Sequence, residues 1–212
     1  MIYLVFTMVT TVAALQLRRK HGFVRRSITV PGEAAALNYW YRPPAANRSR
    51  ATPPLVLLHG IGPGGSLTAW MTAGRLEMVN LEHSAVIVPE LPNIAYECWA
   101  ATPHALTARQ TAAAIAQAVR DANGGAEGPG AICIGQSFGT IVITWLMRYQ
   151  PQTVCAALML DPVVFLMHHA ALAYRFLYRQ ARTPQQKFLR YFASDEIGIQ
   201  HVRSTNHRQS TP

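Results

Sequence analysis

Gly135-Gln136-Ser137-Phe138-Gly139 is the stretch that decides how this chain folds. Ahead of it, Gly130-Ala131-Ile132-Cys133-Ile134 reads as a strand, and behind it Phe138 to Tyr149 reads as a helix. A serine between a buried strand and a helix, with a glycine two residues away on each side, marks a sharp turn. A Cβ at either glycine would collide with a neighbouring strand or helix. Such a turn projects the serine hydroxyl, and the helix N-terminus behind it offers a backbone N–H and partial positive charge to a developing oxyanion. Ser137 is therefore the candidate nucleophile. The five-residue pattern arises by chance in about one chain in fifteen of this length, and demanding the strand and the helix lowers that roughly tenfold. The plain alternative, a tight turn with a capping serine, rarely needs a glycine on both sides.

Working outward, the same alternation of strand and helix recurs. Residues 27 to 41 predict two strands around a Pro31-Gly32 turn, and Leu55-Val56-Leu57-Leu58 is a short apolar run typical of a strand buried on both faces. Ser66 caps an expected helix reaching about Asn80, Ala85-Val86-Ile87-Val88 is another strand, and residues 105 to 122 form a helix closed by Asn123-Gly124-Gly125. Val154 to Leu160 is a sixth strand. The order implies an α/β fold, a mostly parallel sheet with helices on both faces.

His59-Gly60-Ile61-Gly62-Pro63-Gly64-Gly65 follows the Leu55 strand directly. Its glycines let backbone approach a substrate oxygen, so the N–H of Ile61 or a neighbour in Gly60-Ile61-Gly62 is a second candidate oxyanion donor beside Phe138. A phosphate-cradling loop would need the Gly-Lys-Ser/Thr ending of a P-loop, which is absent. His59 is expected to be structural, because the base of a triad in this topology comes after the nucleophile.

The HGIGPGG loop, the GQSFGT turn and the Leu160-Asp161-Pro162-Val163 strand end together resemble the α/β-hydrolase superfamily over about residues 27 to 202. Val88-Pro89-Glu90-Leu91-Pro92 and Tyr191 to Ile199 resemble a membrane-linked branch of fungal and algal hydrolases. The resemblance implies an eight-stranded sheet and a Ser, acid, His order along the chain. It points to hydrolysis of a small-molecule or lipid ester, with no cofactor and no metal. Six strands are counted here, so the last strands of the fold are expected to be missing. Asp161 is the candidate acid, with a turn-capping role as its alternative. His201 is the candidate base and His207 its rival; otherwise the chain is a catalytically incomplete fragment acting as a binder. The expected organisation is a core over residues 27–162, a helical cap over 163–200 and a polar tail over 201–212. Ordinary packing helices are an equal reading of the cap segment.

Composition bounds the partners. Half the residues are apolar and 14% are charged, which excludes a disordered chain. The net charge of +9 comes from 19 cations of which only Lys20 and Lys187 are lysine, scattered and without zinc-finger or ribonucleoprotein motifs, so nucleic acid is not the expected partner. Cys98, Cys133 and Cys155 form neither a disulfide framework nor a metal knuckle, and the last two are expected in the core. Residues 1–17 carry no charge and Arg18-Arg19-Lys20 follows, an arrangement expected of an N-terminal membrane anchor over residues 1–20. Cations placed after the apolar run favour a cytoplasmic body. A leader lying on the membrane surface is the alternative.

Overall fold

The computed structural model describes residues 18–30, 36–44, 52–62, 84–91, 106–125, 128–166 and 178–190, with residues 12, 15, 94, 169, 171, 174 and 175. Its frame is a six-stranded sheet built from β1 (Val24–Thr29), β2 (Ala36–Arg42), β3 (Leu55–Leu58), β4 (Val86–Pro89), β5 (Ala131–Gln136) and β6 (Val154–Leu160). The strand order is β1-β2-β4-β3-β5-β6. β1 and β2 run antiparallel to each other, and β2 antiparallel to β4, whereas β4, β3, β5 and β6 are mutually parallel. The sheet is thus mostly parallel, as the alternation of elements predicts.

Two helices pack together over one face, α1 (Ala108–Ala122) and α2 (Phe138–Tyr149). Because side chains alternate along a strand, Val56 and Leu58 point to the helix side, where they join Ile87, Cys133, Ile115, Val119, Ile143 and Leu146 in one core. Leu55 and Leu57 point the other way and are buried with Phe23, Trp40, Val86 and Val88. Burial on both faces explains why β3 and β4 read as unbroken apolar runs. The helix expected between Ser66 and Asn80 lies outside the described residues.

α1 starts at Ala108 rather than at 105 because Thr107 caps it: the Gln110 N–H donates to Thr107 Oγ1 and the Thr107 N–H to Gln110 Oε1 at 2.8 Å. β1 starts at Val24, ahead of the expected Ser27, with Arg25 and Arg26 inside it. Cationic side chains are tolerated there because β1 is an edge strand, mostly exposed.

One core expectation is corrected. Cys133 is buried in β5, but Cys155 is exposed, as are Ala156, Ala157 and Leu158. Their strand, β6, stands at the edge of the described sheet, so an apolar sequence does not bring burial with it. No helix among the described residues is long and apolar enough to cross a membrane, and most of residues 1–17 lie outside them.

Candidate active site

The four parallel strands end at one rim of the sheet, and the residue that follows each is polar or glycine-flanked: His59 after β3, Glu90 after β4, Ser137 after β5, Asp161 after β6. Register places these ends together, with Leu58 opposite Gly135 and Gln136 opposite Leu160. In open parallel sheets this rim is where ligands bind.

Ser137 has φ 52° and ψ −112°, a backbone conformation that costs a non-glycine residue of order 1–3 kcal/mol. Its hydroxyl makes no capping bond to α2. The surroundings hold it in place: the Ser137 N–H donates to the Leu160 carbonyl at 2.9 Å, and its own carbonyl accepts from the Thr140 N–H at 3.0 Å and Thr140 Oγ1 at 2.6 Å. The two glycines are sterically required. A Cβ on Gly135 would lie 2.7 Å from the Gly139 carbonyl oxygen, and one on Gly139 would strike the backbone of Leu58. Thr140 is a supporting residue not foreseen from sequence, although a threonine in the first turn of this helix is a readable signal for it.

The second glycine loop meets the first. A Cβ added to Gly60 would fall 2.9 Å from Ser137 Cβ and 3.1 Å from the Gln136 carbonyl oxygen, so Gly60 lies directly against the candidate nucleophile. His59 is fully buried beneath the loop. Its Nε2 accepts from the Leu91 N–H at 3.3 Å, which puts the ring proton on Nδ1, where it is donated to the Gly60 carbonyl at 2.7 Å. Burial lowers the His59 pKa to about 4, against a smaller opposing pull from the Gly60 carbonyl, so the ring is a neutral strut. With the Gly60 carbonyl turned to His59, the trans peptide points the Ile61 N–H the other way. The Gly62 N–H is already engaged, donating to the Ile94 carbonyl at 3.2 Å. The Phe138 N–H opens α2, where first-turn donors lack intrahelical partners.

Asp161 is exposed and has φ 48°. It stands one residue beyond the carbonyl that accepts from Ser137, on the neighbouring strand. His201 and His207 lie outside the described residues. Among the described residues there is no cluster of three or more side chains able to hold a metal.

Sequence reasoning overlooked the group at the end of β4. Glu90 is buried, and its carboxylate accepts from Arg25 Nη2 at 2.7 Å, Arg25 Nε at 3.1 Å and Trp40 Nε1 at 2.6 Å. The signal was available, because an acid directly after a buried apolar strand needs a partner.

No family model matches the chain, and no curated protein matches it. Solved structures do. A membrane phospholipase A, a bacterial virulence factor, is 17% identical with a TM-score of 0.52, covering 98% of this chain and 70% of that one. A peroxisomal α/β-hydrolase of Saccharomyces cerevisiae is 18% identical with a TM-score of 0.49, over 67% of this chain and 44% of that one. A carboxylesterase of Nitrososphaera gargenis is 19% identical with a TM-score of 0.48, over 88% of this chain and 73% of that one.

Proposed function

We propose that this chain, which has the α/β-hydrolase fold, is a serine hydrolase of carboxylic esters, esterase-like or lipase-like. The observation that carries the reading is the backbone of Ser137: a left-handed serine at a strand-to-helix turn, hydroxyl unused by the helix, with Gly60 pressed against its Cβ. Strain of this kind persists only where its surroundings over-determine it, and it collects at functional sites.

In this reading Ser137 Oγ attacks the acyl carbonyl, and the N–H groups of Phe138 and Ile61 receive the oxyanion. Gly60 and Gly62 keep that approach open to a substrate oxygen. His201 takes the serine proton and passes it to the leaving alcohol, and Asp161 orients it, in the chain order Ser, Asp, His. The substrate of this reading is a small-molecule or lipid ester, and the phospholipase neighbour is in keeping with a lipid ester. Residues 1–20 would hold the enzyme at a membrane with its body on the cytoplasmic side; deleting them should then release the protein into the soluble fraction.

The test is labelling of the full chain with a fluorophosphonate, followed by p-nitrophenyl butyrate turnover. Labelling lost in Ser137→Ala, with turnover lost in Ser137→Ala and His201→Ala, is the expected result. A chain that is folded and unlabelled refutes the reading. Labelling without turnover, unchanged by His201→Ala or His207→Ala, identifies a binder that lacks its base.

A further inference from the structure

From Pro162 to Ser194 the chain carries five cations, Arg175, Arg179, Arg182, Lys187 and Arg190, and no acidic residue. This segment leaves the sheet at the rim that holds Ser137, since a 3-10 turn over Val164–Leu166 follows Asp161 and packs against α2. Three of its aromatic side chains face water: Phe165 is 64% exposed, Tyr174 64% and Tyr178 47%. Single exposed apolar residues are ordinary, but three large rings within one cationic segment are not.

The two kinds of residue are interleaved on one helical turn. The Arg179 N–H donates to the Arg175 carbonyl at 3.1 Å, which places Arg175 and Arg179 one above the other, and Tyr174 and Tyr178 stack beside them with ring centroids 4.9 Å apart. Arg179 and Arg182 line a common hollow with Gln180, Thr183 and Gln186, and Arg190 Nη1 reaches the Arg179 carbonyl at 3.3 Å. Charge is therefore concentrated beside aromatic surface.

We propose that this surface docks on an anionic lipid bilayer, with Phe165, Tyr174 and Tyr178 entering the headgroup layer and the arginines holding lipid phosphate and carboxylate groups. Aromatic rings with one apolar and one wet end belong at that layer, and guanidinium groups bind phosphate as a fork. Charge complementarity selects the anionic surface. Nucleic acid is the weaker fit, because the Tyr174 and Tyr178 rings cover each other instead of standing apart to receive bases. Such a contact would turn the Ser137 rim toward the bilayer.

The experiment is co-sedimentation of the full chain with phosphatidylcholine vesicles and with mixed phosphatidylcholine and phosphatidylserine vesicles at physiological salt. The variant Arg175→Gln/Arg179→Gln/Arg182→Gln should bind the phosphatidylserine vesicles about a hundredfold less, at roughly fivefold per arginine, with a much smaller loss on pure phosphatidylcholine vesicles, whose phosphates are balanced by choline. Arginine to lysine at the same three positions should retain binding, and Phe165→Ser/Tyr174→Ser should weaken it on both vesicle types. These side chains are exposed, so thermal unfolding should be unchanged. Fluorophosphonate labelling in detergent should be unchanged too, which keeps failure here distinct from failure of the hydrolase reading. Phosphatidylserine binding that survives the triple glutamine variant overturns the proposal. So does tighter binding to a single-stranded oligonucleotide than to the vesicles, lost in that same variant.

Discussion

Ser137 and Asp161 are the two non-glycine residues with positive φ among the described residues, at 52° and 48°, and they directly follow Gln136 and Leu160, which are partners on adjacent parallel strands. Two strained turns thus stand side by side, joined by the 2.9 Å bond from the Ser137 N–H to the Leu160 carbonyl. Left-handed backbone places a serine Cβ close to a carbonyl oxygen, and only glycine escapes that cost.

The strain can be measured by relieving it. Ser137→Gly should be more stable than Ser137→Ala by about 1 kcal/mol, since both remove the hydroxyl and only glycine tolerates the φ. Urea midpoints of the two variants give the difference. Equal midpoints would mean that position 137 relaxes out of the left-handed region, and the elbow geometry would have to be abandoned.

Gly60→Ala and Gly62→Ala should behave differently although they flank the same residue. The first places a methyl 2.9 Å from Ser137 Cβ, whereas the second meets nothing within 4 Å among the described residues. Gly60→Ala should slow fluorophosphonate labelling at least tenfold and cost about 1–3 kcal/mol of stability by overpacking. Gly62→Ala should leave stability within about 0.5 kcal/mol. Comparable labelling by both variants would separate the Gly60 loop from the nucleophile.

The strand-turn-helix unit was legible because each of its boundaries is enforced locally. Gly135 and Gly139 are pinned by backbone contacts that only glycine survives, and α2 ends at Tyr149 and β6 begins at Val154 as the apolar pattern indicates. What sequence could not supply was position in the sheet. Cys155 and Leu158 sit in a run as apolar as β3, yet burial depends on what lies on either side of the strand, and VCAALML does not encode that. The Glu90 group was hidden for a similar reason, because Arg25 lies 65 residues away and Trp40 50 residues away. Of the proposed triad, Ser137 is placed by its own neighbours, whereas His201 is assigned by chain order and by lying within the segment, residues 27 to 202, that resembles the superfamily.

The Glu90 group makes its own prediction through the asymmetry of its partners. Glu90 is buried while the Arg25 side chain is 51% exposed. Arg25→Ala leaves a buried carboxylate with the Trp40 N–H, and should cost about 2 kcal/mol, below the usual range for a fully buried pair because half the arginine is already in water. Adding Glu90→Gln to that variant removes the stranded charge and should recover part of the loss. Denaturant unfolding of the double-mutant cycle reads the coupling, and strict additivity would show that the pair contributes nothing.

The cysteines should differ in reactivity. Burial pushes the Cys133 thiol up to about 12, with Cys155 adding a smaller push, whereas Cys155 is exposed on β6. In the folded chain iodoacetamide should alkylate Cys155 and spare Cys133, as read by mass spectrometry of the digested protein. Modification of Cys133 at the rate of Cys155 would contradict the packing of β5 against α2.

His59 makes stability depend on pH, and the sign follows from its burial. Its folded pKa is about 4 against an ordinary 6.5, so between those values the unfolded chain binds a proton that the folded chain refuses. Stability should therefore be unaffected by this group above pH ~6.5, fall as the pH drops through the window, and stop falling below pH ~4, where both states are protonated. The full window is worth about 3 kcal/mol. His59→Gln, which cannot titrate, should be less stable at pH 7 through loss of its bonds to Gly60 and Leu91, but should lose less on going to pH 5 than the parent does. Urea unfolding of parent and variant at the two pH values is the measurement. Parallel losses would mean that His59 carries the same charge in both states, and the neutral strut beneath Gly60 would be excluded.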